Sequence, residues 1–431
     1  PKPTTDVEAY TAYLKGRHFW QRRTRHGLEQ AIEAFEQAIA RDPRFAKAYS
    51  GLADAYSVMA NLGYGAADTA LRHAQSAAEQ AVALDPDLAE AHASLGLSNL
   101  QFRNDTEAAE RHFLRALELN PSYASAHQWY SGVMYVRNRM DEALHHARKT
   151  AELDPRTPIV LVNVGNLLLE RGAYEEAKRY FERAIESEPS FEGAYADLAK
   201  TQAILWDWHG AQRTLREAIA SNPDNASALA AQAILCLILG KGEEAAQSMQ
   251  RAKSLGPTQF NVREPLARYH RYLGETDEAV AIYLEAAAEQ PENPMWQMLI
   301  AFALLEGRRL EAAEHVLAEM DPALPQVFPR LRPYITYAQA ILDALRGARD
   351  EALRQVREVV AGDEFLEKMS ALMLVHALLG EMDTAFAYLD QAVAVHDPWL
   401  PQITIDPLAT PLRSDPRYDR VLAVLGLAQS D

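Results

Sequence analysis

Alanines recur along this chain at an interval that few folds can satisfy. Ala109, Ala143, Ala177, Ala211, Ala245, Ala279 and Ala313 stand 34 residues apart, and looser steps extend the ladder to Ala31, Ala74, Ala352 and Ala385. Four residues after each alanine comes a second ladder, mostly of larger apolar residues: Phe35, Phe113, Phe181, Leu215, Met249 and Tyr283 among them. Three residues further comes a third, again mostly alanine: Ala38, Ala81, Ala116, Ala184, Ala218, Ala252, Ala286 and Ala392, with Thr150, Met320 and Val359 as exceptions. Offsets of four and then three fall on one face of a helix. The small residues let a neighbouring helix come close, and the larger one fills the gap between them. A period of this size marks one unit, repeated and stacked.

The punctuation has the same period. Pro43, Pro86, Pro121, Pro155, Pro189, Pro223, Pro257 and Pro291 each follow the third ladder by five residues. Proline cannot continue a helix and turns the residue before it away from helical angles. Gly172, Gly240, Gly274, Gly347 and Gly380 sit five residues before a ladder alanine, and Gly307 six. That is where a helix ends in a left-handed residue, the conformation glycine adopts most cheaply. Asn104 and Asn138 take the slot in two repeats; Trp206 takes it in another and breaks the rule.

This pattern resembles the tetratricopeptide repeat. A good match is Leu161, Val164, Gly165 and Leu168 followed by Ala177, Phe181, Ala184 and Pro189. The resemblance covers roughly residues 7 to 413 in eleven near-copies. It implies an all-α fold: a right-handed α-solenoid superhelix of eleven helical hairpins with a C-terminal capping helix. The repeated residues are packing residues, so the likeness speaks to fold more than to function.

Departures from the period set the expected boundaries. Repeats 1 to 9 occupy residues 1–320, and the 43-residue step from Ala31 to Ala74 makes the second repeat long. The surplus around Ser57 to His73 is expected as a longer hairpin or a protruding loop. Pro322, Pro325, Pro329 and Pro333 make 321–333 a stiff, non-helical connector. Repeats 10 and 11 follow over 334–397. Residues 398–431 read as a proline-broken extended stretch and then one short helix, from about Asp415 to Leu425, that covers the last apolar face.

Composition narrows the partners. Lys plus Arg is 43 against 60 Asp plus Glu, a net charge of −17. A surface this acidic repels phosphate backbones, so nucleic acid is not expected as a partner. The single cysteine, Cys236, excludes a disulfide within the chain and lies on an apolar stretch, Ala228 to Leu239, where a buried thiol is expected. That stretch falls short of the ~20 apolar residues a membrane span needs. The compartment stays open, with cytoplasm favoured over periplasm.

Nothing in the chain carries chemistry. A glycine-rich phosphate loop, HExxH, paired cysteines and a nucleophile elbow are all missing. His145 and His146 are adjacent, hence about 100° apart on a helix, which suits no shared metal. The expectation is a non-enzyme with no cofactor and no metal.

A narrower resemblance concerns the stretches PTTDVEAYTAYLKGR, AYSGLADAYS, YASAHQWYSGVMY, WDW (Trp206 to Trp208) and PLRSDPRYDRVLAVLGL. They are similar to the C-terminal repeat region of bacterial signalling regulators, whose N-terminal halves carry a winged-helix domain, a nucleotide cyclase or a protein kinase. The likeness implies a sensory or docking half whose output domain lies outside this sequence. The tryptophan pair departs from that pattern, standing in the sixth repeat rather than the third.

In the tetratricopeptide family the first helix of each hairpin lines a concave groove. Carried over residue by residue, that implies a ligand-binding lining of Gln128, Tyr135, Asn166, Lys200, Ile234, Arg268, Arg271 and Phe302. The lysine and asparagine clamp of chaperone-binding relatives is missing. What remains suits a protein or peptide partner, with apolar contacts for affinity and Lys200, Arg268 and Arg271 for its acidic groups. A self-associating scaffold and a small-molecule receptor using the apolar groove are the alternatives, and the oligomeric state stays open. His127, Trp129 and Tyr130 are expected in inter-helix packing rather than in the lining.

Overall fold

The computed structural model describes all residues except 1–3, 23, 63, 65, 104, 257–259, 292, 323, 325–328, 363–366 and 429–431, together with the side chains of 67, 260 and 261. Asn104, Pro257 and Pro325 therefore lie outside the described residues. Every regular element among the described residues is a helix, and they fall into two compact units, residues 1–155 and 156–431.

The first unit holds four hairpins: α1 (Val7–Gln21) with α2 (Arg25–Arg41), α3 (Ala46–Asn61) with α4 (Ala67–Leu84), α5 (Ala89–Arg103) with α6 (Thr106–Leu119), and α7 (Ala124–Val136) with α8 (Met140–Leu153). The starts of α1 and α6 are fixed by side-chain caps. Asp6 Oδ1 accepts from the amides of Glu8 and Ala9 at 2.8 and 2.9 Å, and Asp105 Oδ1 accepts from that of Ala108 at 2.8 Å, each satisfying N–H groups that a helix start leaves unpaired. The surplus in the second repeat goes into length: α3 and α4 run to 16 and 18 residues.

The second unit holds seven hairpins. They are α9 (Pro158–Glu170) with α10 (Tyr174–Ser187), α11 (Gly193–Ile204) with α12 (Trp208–Ser221), α13 (Ala226–Ile238) with α14 (Gly242–Leu255), and α15 (Phe260–Tyr272) with α16 (Thr276–Glu289). Then come α17 (Met295–Glu306) with α18 (Leu310–Glu319), α19 (Arg332–Leu345) with α20 (Arg349–Ala361), and α21 (Lys368–Leu378) with α22 (Met382–Ala394). Short α23 (Thr410–Arg413) and α24 (Tyr418–Val424) close the chain.

The ladder residues form the core. Ala177, Phe181 and Ala184 are fully buried, as are Ala143, Ala211, Ala245 and Ala279. Gly165 shows why one position must stay small. A Cβ there would lie 2.5 Å from the buried ring of Phe181, inside any van der Waals contact.

The turns inside the hairpins share one geometry. Gly172, Gly240, Gly274, Gly347 and Gly380 have φ between 72° and 79°, and the residue after each turn bonds back five residues, as Ala173 N does to Leu168 O at 2.8 Å. Asn138 adopts the same conformation at φ 59° and Trp206 at 61°. For a ring as large as indole that conformation is strained, by about 1–3 kcal/mol. Gly307 departs from expectation: its φ is −77°, and the left-handed residue is the next one, Arg308, at 57°. Arg308 stands five residues before Ala313, so the period rather than the residue type decides the position.

Two expectations near the C-terminus are corrected. The proline-rich connector is not wholly non-helical. A 3₁₀ turn occupies Pro329–Leu331 and α19 begins at Arg332, with Pro333 in its first turn, where its missing N–H would have no helical partner. The stretch after 398 is not extended either. Its prolines open 3₁₀ turns at Leu400–Gln402 and Pro407–Ala409 and then α23, again because proline is pre-set for the start of a helical turn. The closing helix is shorter than expected, Tyr418–Val424.

Candidate ligand-binding hollow

In both units the first helices of successive hairpins pack on one another: α1 on α3, α3 on α5 and α5 on α7 in the first; α9 on α11, α11 on α13, α13 on α15, α17 on α19 and α19 on α21 in the second. The second helices stand on the other side of this layer. The free face of this layer is the candidate lining in each unit, the face that the tetratricopeptide resemblance turns toward a groove.

In the first unit the inner face is polar and internally paired. Arg17 meets the buried carboxylate of Asp54 at 3.4 Å, and Ser94 Oγ donates to Asp54 Oδ1 at 2.6 Å. Lys47 pairs with Glu90 at 2.7 Å. Tyr123 reaches the same cluster, and burial, with Asp54 beside it, drives its hydroxyl well above the phenol range. Gln128 and Tyr135 are half-buried on α7. His127 and Tyr130 are buried, and Trp129 packs against the cluster of Trp20 and Phe35.

Two histidine pairs went unforeseen. His127 Nε2 faces the carbonyl of Pro121 at 3.0 Å, so it donates there, and its Nδ1 accepts from His146 Nδ1 at 2.8 Å. One repeat earlier the arrangement recurs: His92 Nε2 with Pro86 O at 2.9 Å, and His92 Nδ1 with His112 Nδ1 at 3.1 Å. Burial lowers His112 and His127, and burial together with the neighbouring His127 takes His146 down to about 4. The sequence signal was available: each ring pair is 19 or 20 residues apart and repeats after one period. Among the described residues no three His, Cys, Asp or Glu side chains converge as metal ligands would.

In the second unit Asn166, Lys200, Ile234, Arg268 and Phe302 recur every 34 residues on successive first helices. Asn166 hydrogen-bonds Asp197, whose pKa burial raises against the pull of Lys200. Lys200 is exposed. Ile234 is half-buried against the α11–α13 core, and the Phe302 ring lies 6.1 Å from that of Tyr337. Arg268 and Arg271, expected to hold the acidic groups of a ligand, already have carboxylates from the chain itself. Arg268 pairs with Glu264 at 3.1 Å and Arg271 with Glu306, both of the latter nearly buried.

A second feature that sequence reasoning missed is what lies across this hollow. The Leu400–Gln402 turn touches α11, while the Pro407–Ala409 turn and α23 touch α21. The segment's inner side seals the core of the last hairpins: Leu400, Ile403 and Leu412 are fully buried with Tyr337, Leu372 and Leu389. Its other side meets hairpins six to eight. Trp208 Nε1 donates to Leu425 O at 2.6 Å, Thr404 Oγ1 to Ile238 O at 3.1 Å, and the Tyr272 hydroxyl to Gln402 Oε1. Ile405 and Leu427 pack on Tyr195, Ala199, Trp208, Leu235 and Ile238. The His396 ring stacks on Trp206 at 4.2 Å, 18° from parallel.

Buried carboxylates accompany this contact. Asp406 accepts from Trp399 Nε1 at 3.1 Å and from Leu408 N at 2.8 Å. Burial and the neighbouring Glu306 nevertheless push it up to about 7, against the pull of Leu408 N–H and Arg271. Glu367 is likewise raised to about 7 by burial and by Asp397. Cys236 is buried, and loss of solvation lifts its thiol to about 11, which leaves it unreactive.

The tetratricopeptide-repeat model matches residues 13–57, 71–124, 98–158, 206–260 and 265–327, and a second model of the same repeat matches 159–191. The chain belongs to the tetratricopeptide-repeat family. Tetratricopeptide arrays are protein-interaction folds. No curated protein matches the chain. Among solved structures it is similar to PilF of Pseudomonas aeruginosa, at 22% identity over 53% of this chain and 99% of that one, with a TM-score of 0.41. It is similar also to a tetratricopeptide repeat protein of Parabacteroides merdae ATCC 43184, at 17% identity over 61% and 99%, TM-score 0.40. YrrB, a tetratricopeptide protein described as having an unusual peptide-binding site, aligns at 19% identity over 43% and 95%, TM-score 0.34. No helix among the described residues is long and apolar enough to cross a membrane.

Proposed function

We propose that this chain is a non-catalytic module that binds a protein or peptide in its inner hollows, as the docking half of a bacterial signalling regulator. The observation that carries the reading is the way the second unit treats its own C-terminal segment, a run of short 3₁₀ and α-helical turns. Side-chain donors on the repeats, Trp208 and Tyr272, meet a main-chain carbonyl and a side-chain amide of that stretch, while aliphatic side chains sit between them. That combination of apolar contact and sparse orienting hydrogen bonds is what peptide recognition uses. The regulator context rests on the stretches quoted above, from PTTDVEAYTAYLKGR to PLRSDPRYDRVLAVLGL.

Gln128 and Tyr135 in the first unit, and Asn166, Lys200, Ile234, Arg268, Arg271 and Phe302 in the second, are the proposed lining. Lys200 is the exposed cation of the set and the one placed to meet a ligand carboxylate. The test is selection from a displayed peptide library on the whole chain, followed by titration of the enriched peptides. Enrichment of peptides with a carboxylate between aliphatic residues, weakened about tenfold by Lys200→Glu, supports the reading. It fails if nothing is enriched, or if Lys200→Glu, Gln128→Ala and Tyr135→Ala all leave binding unchanged.

A further inference from the structure

The C-terminal segment has two faces of different character. One belongs to the core: Leu400, Ile403, Leu408 and Leu412 are at most 3% exposed and pack with hairpins nine to eleven. The other is attached to hairpins six to eight by three isolated hydrogen bonds, one ring stack and two half-buried aliphatic side chains. The hollow is not fully satisfied by this arrangement. Trp206 Nε1 and Arg268 Nε are buried without a hydrogen-bond partner among the described residues, although both stand on the repeats the segment faces. Trp206 is also held in a left-handed conformation, and so is its stacking partner His396, at φ 51°. Strain and orphaned donors concentrated at one contact mark it as something other than optimised core.

We propose that the outer face of residues 396–427 is a reversible clasp, an occupant in cis of the peptide-binding surface formed by α11, α13 and α15 with Trp208 at the start of α12. This deepens the function proposed above and rests on it. The ligand excluded by the clasp has the clasp's own chemistry. It is a peptide with a main-chain carbonyl for the Trp208 indole, a side-chain or main-chain acceptor for the Tyr272 hydroxyl, and one or two aliphatic side chains for the patch of Tyr195, Ala199, Leu235 and Ile238. It also carries a carboxylate. Lys200 on α11 is exposed, and the Nε–H of Arg268 on α15 is unused, so the surface retains cationic donors that the clasp does not employ. Opening unravels the segment's short turns, whose amides bond within the segment itself, as Ile405 N does to Gln402 O, Leu425 N to Val421 O and Leu427 N to Leu422 O.

The experiment uses the whole chain and, as probe, a fluorescein-labelled peptide of residues 396–427. Ile405→Glu with Thr404→Val removes the clasp's aliphatic contact and its hydrogen bond to Ile238 O, and neither side chain belongs to the core face. The expected result is that the doubly substituted chain binds the probe at least tenfold more tightly than the parent chain does, and that adding Trp208→Ala abolishes the gain. Hydrogen exchange on the unsubstituted chain provides a second arm that needs no variant. The amides of Ile405, Leu425 and Leu427 should exchange through an opening at least tenfold more populated than the one that exposes α11 and α13. Equal probe binding by both chains overturns the proposal, and so does exchange of those amides only with the helices. Neither arm needs a natural partner. An empty library selection together with a positive probe titration would therefore sink the proposed function and leave the clasp standing, and the reverse pattern would sink the clasp alone.

Discussion

Replacing Asp406 by asparagine should remove a pH dependence that the C-terminal segment confers on the second unit. Asp406 is 5% exposed and is raised from 3.8 to about 7. The groups that face it are the carboxylate of Glu306 on α17, the guanidinium of Arg271 on α15, the hydroxyls of Tyr272 and Tyr337, and Arg413 within the segment. A carboxyl whose folded pKa is raised binds a proton in the folded state that the open state has already lost. Its stabilising contribution is complete below about pH 4 and disappears as pH rises through 7. Between pH 6 and pH 8 the folded group loses most of its proton while the open group has none to lose. The linkage integral over that window is about 1.4 kcal/mol, a factor of about 10 in the opening equilibrium. Asparagine keeps one acceptor for Leu408 N or the Trp399 indole and gives up the other, at about 1 kcal/mol independent of pH. The assay is hydrogen exchange of residues 400–409, corrected for intrinsic rates, in the parent chain and in Asp406→Asn. The parent should open at least tenfold more readily at pH 8 than at pH 6. Glu367, also near 7, adds a slope of the same sign that the variant retains. A variant whose slope equals the parent's would refute the assignment of that proton to Asp406.

Three further outcomes follow from named contacts. Gly165→Ala places a methyl 2.5 Å from the Phe181 ring and should cost about 1–3 kcal/mol, read as a lowered denaturation midpoint of the second unit. Arg308→Gly relieves a left-handed conformation on an exposed residue and should stabilise the second unit by about 0.5–1 kcal/mol, read as a raised midpoint. In the first unit the sign of the pH effect is opposite to that of Asp406. His146 is held neutral, at about 4 against 6.5 unfolded, so its contribution is present above pH 6.5 and is lost as pH falls towards 4. His145, His127, Glu142 and Arg139 are the charged or titratable groups around it. Fluorescence of Trp20 and Trp129 should report loosening near pH 5, and His146→Phe should blunt that response.

The period carried most of the fold because the residues that repeat are the residues that pack. Gly165 meets Phe181 between the ladder residues Ala177 and Ala184 in the fifth hairpin, and counterparts recur in most of the others, so their spacing fixes helix, turn and neighbour at once. The errors came where a residue's preference competes with its position. Gly307 prefers the left-handed conformation, yet Arg308 takes it, because the turn is counted from Ala313. Pro333 reads as a helix breaker and sits inside α19, because a first turn needs no N–H there. The hollow was less legible than the stack. The stripe of Asn166, Lys200, Ile234, Arg268 and Phe302 could be placed from the period. That Glu306 would pair with Arg271, or that Trp208 would reach Leu425 across 217 residues, follows from tertiary contacts within the second unit, which no local pattern encodes. The histidine pairs were visible as a repeated 19- or 20-residue spacing, but the ring nitrogens' roles depend on the carbonyls of Pro86 and Pro121.

The central claim is that the hollow of the second unit is occupied by the chain's own C-terminal segment. A photo-reactive benzoylphenylalanine in place of the half-buried Ile405 tests it most directly, with the cross-linked peptides mapped by mass spectrometry at high dilution. The account predicts adducts within the same chain at Tyr195, Ala199, Leu235 or Ile238. Adducts confined to hairpins ten and eleven, or formed only between separate molecules, would contradict it.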